Sequence, residues 1–73
     1  MIELADIFAK NICVRDVISE NWGIEIVCKG RGITTESLKA IEQDIEHLRM
    51  NVVLYSIEYD LNRESIVLTF LRR

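Results

Sequence analysis

The chain has 73 residues, of which 49% are hydrophobic and 29% charged, with three glycines, no proline and a formal net charge of -3. That length allows one domain and one small core, because so short a chain buries only roughly 60% of the surface its unfolded form exposes. High Ile, Val and Leu content with low net charge disfavours disorder, and no apolar run approaches the roughly 20 residues of a membrane span, so no membrane segment is expected. The acidic stretch Met1-Ile2-Glu3-Leu4-Ala5-Asp6 lacks the basic character of a targeting peptide, which makes the cytoplasm the simplest address.

Residues 1–22 read as a helical segment. Taken as one helix, Leu4, Ile7, Phe8, Val14, Ile18 and Trp22 share a face, but Asn11 and Arg15 fall on it too. A break is more economical. Asn11 then caps a second helix running through Asn21, with Val14, Val17 and Ile18 inward and Gly23 as its stop. What precedes Asn11 becomes a short helix, or a strand at Ile2 to Leu4 that extends the sheet.

Residues 24–29 alternate Ile24, Ile26 and Cys28 with Glu25, Val27 and Lys29, the period of a strand buried on one side. The connection Lys29-Gly30-Arg31-Gly32-Ile33-Thr34-Thr35 leads into a helix. Glycines permit close backbone approach, the first helical turn exposes N–H groups, and Lys29, Arg31, Thr34 and Thr35 supply charge and hydroxyls, so the loop is a candidate anion site. It matches neither GxxxxGK[ST] nor GxGxxG. The competing and stronger expectation is structural: Gly30 and Gly32 make the turn, a threonine caps the helix, and the cations are solvated.

Residues 35–50 form the clearest element. Leu38, Ile41, Ile45 and Leu48 recur at spacings of three and four, with Thr34 or Thr35 as cap, Glu36 in the first turn, Arg49 in the last and Asn51 as the left-handed residue beyond it. His47 falls on the opposite side of the wheel and is expected to face solvent.

Residues 52–59 and 65–71 are rich in β-branched and aromatic side chains and flank a turn centred on Asn62-Arg63, which makes them a β-hairpin. The register that gathers the large apolar groups pairs Tyr59 with Ile66, Ile57 with Leu68 and Tyr55 with Phe70. It leaves Val52, Leu54, Val67 and Leu71 on an otherwise polar face. The fold class expected is therefore α+β: one small domain over residues 1–73, an N-terminal helical segment followed by β-α-β-β, with a mixed sheet of three or four strands packed against helices.

The chemistry-bearing residues are few. Cys13 and Cys28 lie fifteen positions apart without CxxC spacing, and His47 is distant from both, a poor inventory for zinc; reduced, mostly buried thiols are expected, with a disulfide or redox role as the lesser alternative. No nucleophile, carboxylate pair in a cleft or cofactor fingerprint stands out, so no catalytic residue, metal or cofactor is implied and an enzyme is not expected. A sequence pI near 5.0 disfavours nucleic acid as a partner. The expected function is a small non-catalytic protein-interaction or regulatory module that binds a protein partner or a second copy of itself through Val52, Leu54, Val67 and Leu71. The alternative is a phosphate-bearing ligand or single-stranded nucleic acid held by Lys29, Gly30, Arg31, Gly32, Thr34 and Thr35.

Overall fold

The computed structural model describes residues 7, 8 and 11–73; Ile7 and Phe8 are helical, and the rest of the short helix expected before Asn11, like the alternative strand at Ile2 to Leu4, lies outside the described residues. From Asn11 on, the described residues form, in chain order, β1 (Val14–Glu20), β2 (Gly23–Lys29), α1 (Thr35–His47), β3 (Val52–Asp60) and β4 (Ser65–Arg72). The sheet order is β1-β2-β4-β3, and every neighbouring pair is antiparallel.

Two expectations are corrected. The helix expected to start at Asn11 is strand β1, which forms a hairpin with β2 through Asn21 and Trp22. Val14, Val17 and Ile18 suit a strand as well as a helix, and pairing with the β2 edge decides between them. Among the described residues the sheet is also antiparallel throughout and not mixed. Strands β2 and β3 run in the same direction, as a strand-helix-strand crossover requires, but β4 inserts between them and pairs with both. The crossover is thus split, and each of its strands has an antiparallel neighbour.

Gly23 opens β2 with φ +151, and a Cβ there would lie 1.9 Å from the carbonyl oxygen of Phe70 on β4. Trp22 carbonyl meanwhile accepts from the Arg72 amide at 2.8 Å, so this corner admits no side chain at position 23.

Helix α1 follows the sequence pattern closely. Thr34 is its N-cap, with Oγ1 accepting from the Ser37 amide at 3.1 Å. Its end is a Schellman motif two residues earlier than expected: Met50 N–H donates to Ile45 carbonyl, Arg49 N–H donates to Glu46 carbonyl, and Arg49, not Asn51, takes the left-handed conformation at φ 55. Among the described residues Glu36 and Lys39, and Glu46 and Arg49, are spaced for pairing along α1 but form no ion pair.

The core lies between α1 and one sheet face. Ile41 and Ile45 of α1 meet Ile24, Ile26 and Cys28 of β2 and Ile66, Leu68 and Phe70 of β4, with Phe8 fully buried beside them. A helix about 10 Å across spans roughly two strands spaced 4.8 Å apart. One helix over β2 and β4 therefore leaves β3 at the margin.

Candidate interaction surface

Strand β3 pairs with β4 on one side and has no strand on the other, so its outer backbone edge is unpaired among the described residues. The register confirms Tyr59 opposite Ile66 and Ile57 opposite Leu68. It then shifts between Leu54 and Ser56, where Tyr55 is the extra residue of a bulge, so that Leu54 rather than Tyr55 lies opposite Phe70. Tyr55, which the expected register gathers with the large apolar groups beside Phe70, is instead 69% exposed.

This one-residue slip redistributes the expected interface set. Val52 and Leu54 move to the α1 side, opposite Arg72 and Phe70, where Val52 is half-buried against the core. Val67 and Leu71 remain on the other face, Val67 buried and Leu71 half-buried. The four residues do not share one face.

The face opposite α1 is closed by polar side chains. Arg15, the bulged residue of β1, donates from its guanidinium to Ser65 Oγ at 2.9 Å and to Arg63 carbonyl at 3.1 Å. Ser65 Oγ in turn donates to Arg63 carbonyl at 2.9 Å. Arg63 reaches Glu25 at 3.6 Å and Asp60 at 3.4 Å, while Asp60 Oδ1 accepts the amides of Asn62 and Arg63 and so sets the turn. These groups rim shallow depressions over Val27 and Val67, which are buried although no helix lies over them. Val67 is thus screened within its own chain.

Apolar exposure concentrates instead along β3. Among the described residues eight large hydrophobic side chains are exposed, and six of them, Val53, Leu54, Tyr55, Ile57, Tyr59 and Leu61, lie on β3 or in the turn after it. Leu54, Ile57 and Tyr59 share the α1 side, and Leu54 lines a groove of about 460 Å³ whose helical wall is Glu42, Ile45 and Glu46. The sequence named only Leu54 of this group. Ile57 and Tyr59 were legible as a pair on the helix side, but their exposure depends on how far one helix reaches.

Comparison with protein-family models, curated proteins and solved structures found no match.

The candidate anion loop is placed as a simple connection. Lys29, Gly30, Arg31, Gly32, Thr34 and Thr35 are exposed, Gly30 has φ 91, and open space surrounds both glycine Cβ positions. Thr34 Oγ1 is engaged as the helix cap. Among the described residues no cluster of His, Cys, Asp or Glu is arranged to hold a metal ion, and no helix is long and apolar enough to cross a membrane. His47 is exposed at the end of α1.

Proposed function

We propose that this chain is a small non-catalytic interaction module that self-associates along β3. The observation that carries this is the coincidence, along β3 and the turn after it, of an edge unpaired among the described residues and of exposed apolar side chains between Val53 and Leu61. Water at such a strand faces both unsatisfied backbone groups and apolar area, and a second strand relieves both at once.

A second copy is the occupant that needs no other component. Antiparallel pairing about a twofold axis at Ile57 sets Ile57 beside its own copy and Glu58 beside Ser56, so the acids do not face each other. The α1-side groups Leu54, Ile57 and Tyr59 of the two copies then form one continuous apolar floor. The Tyr55 bulge limits regular pairing to the stretch after it, which supports an interface made by side chains as well as by the ladder.

Phosphate or single-stranded nucleic-acid binding through the Lys29 to Thr35 loop has less behind it, because the Thr34 hydroxyl is already engaged and the remaining groups are those of an ordinary helix entry. Light scattering coupled to size exclusion tests the proposal. A species of twice the 8.5 kDa chain mass at high micromolar concentration supports it, and an 8.5 kDa species there contradicts it.

A further inference from the structure

Cys13 and Cys28 are far apart in sequence and adjacent in space. Val14 lies opposite Cys28 in the β1–β2 ladder, and the Lys29 amide donates to Cys13 carbonyl at 2.8 Å, so the two cysteines are one residue out of register on adjacent segments of the chain. Combining strand spacing with residue rise puts such diagonal Cα atoms about 6 Å apart, inside the range a disulfide spans. In a continuous strand their side chains would point to opposite faces. Cys13 precedes β1, however, in a turn set by Asn11, whose Oδ1 accepts the Cys13 amide at 3.2 Å. Its side chain packs onto the same core cluster that contains Cys28. Both thiols are free.

We propose that Cys13 and Cys28 form a redox modification site, at which a hydroperoxide closes an intrachain disulfide that ties the segment before β1 to β2. The two sulfurs have different roles. Cys28 is fully buried, and burial with the Cys13 thiol beside it pushes its pKa up to about 12, so it stays protonated. Cys13 is half-buried and is the sulfur a peroxide reaches first. Its thiolate attacks one peroxide oxygen, the O–O bond breaks, and the leaving oxygen departs as water or alcohol with a proton, leaving a sulfenic acid. Cys28 sulfur then attacks the Cys13 sulfur. The S–O bond breaks, and the hydroxide leaves as water with the Cys28 proton. The sum is one peroxide reduced and two thiols oxidised to one disulfide.

The test uses the full chain, treated with hydrogen peroxide, then denatured, alkylated with iodoacetamide and weighed intact. The expected product is a monomer lighter by two hydrogens that takes up no alkyl group, with both alkylation sites returning after dithiothreitol. The Cys13→Ser variant should keep Cys28 alkylatable and form no intrachain bond. Two alkylations after oxidation, oxygen adducts without the bond, or a disulfide between chains would each overturn the proposal. If Cys13→Ser does not fold, the mass of the unaltered chain decides alone. The site lies on the β1–β2 side of the sheet, away from β3, so its failure and the failure of self-association are separately visible.

Discussion

Gly23 shows at the scale of one residue how little freedom a small sheet has. Its missing side chain lets β2 approach Phe70 of β4, where a Cβ would overlap a backbone oxygen that cannot move without breaking the ladder. Gly23→Ala should destabilise the chain by about 3 kcal/mol in urea unfolding, from overpacking and backbone strain together. The sequence offered Gly23 as a helix stop, a role that needs only its backbone freedom; the real constraint comes from a strand more than forty residues away. Cys28 carries a second residue-scale consequence. Its folded pKa of about 12 lies above its ordinary 9.0, so below pH 9 it is protonated in both states and its contribution is fully present. As pH rises from there, the unfolded chain loses the proton first, and stability falls until the folded thiol also ionises near 12. Unfolding measured from pH 8 to 12 should show a downward slope that approaches ~1.4 kcal/mol per pH unit from this group, and Cys28→Ala should remove that part of the slope.

Among the elements, legibility follows how local the deciding forces are. Helix α1 was readable because its stripe of Ile41 and Ile45 and its Thr34 cap are set within a few residues. Its end was misplaced because the left-handed position falls on Arg49, a residue with no intrinsic preference for it, while Asn51 looked better suited. Arg49→Gly should therefore stabilise the chain by about 0.5–1 kcal/mol, the gain at a left-handed C-terminal position outweighing the added freedom of the unfolded state; urea midpoints at constant m-value check this. The β3–β4 hairpin was readable through its turn and its first two pairs, and lost at Tyr55, since a bulge leaves no trace in an alternating pattern until the partner strand is in place. Strand β1 was lost altogether. Val14, Val17 and Ile18 satisfy helical spacing, Asn11 is a plausible cap, and Asn21-Trp22 lacks the Asn-Gly signature of a tight hairpin, so only pairing with β2 reveals the strand. Asn11 does bond to the helix region, but across space, its side-chain amide donating to Ser37 carbonyl at 3.2 Å.

For the whole molecule the governing quantity is coverage. One helix and the buried Phe8 cover the inner strands of a four-stranded sheet, a polar set led by Arg15 and Arg63 screens Val27 and Val67 on the opposite face, and among the described residues β3 is left at the margin of both. The sequence allowed only one small core and gathered Val52, Leu54, Val67 and Leu71 on an otherwise polar face of the hairpin. The bulge at Tyr55 and the arginine lid move the apolar exposure to the edge of the sheet. The proposed self-association through β3 rests on that displacement, and it is tested by the mass of the chain in solution with and without a charge at the centre of the strand. Ile57 is 44% exposed, so Ile57→Lys should leave the fold intact by circular dichroism. The unaltered chain should be a dimer at high micromolar concentration and Ile57→Lys a monomer; a monomer for both, or a dimer unaffected by the lysine, would show that β3 is not the self-association edge.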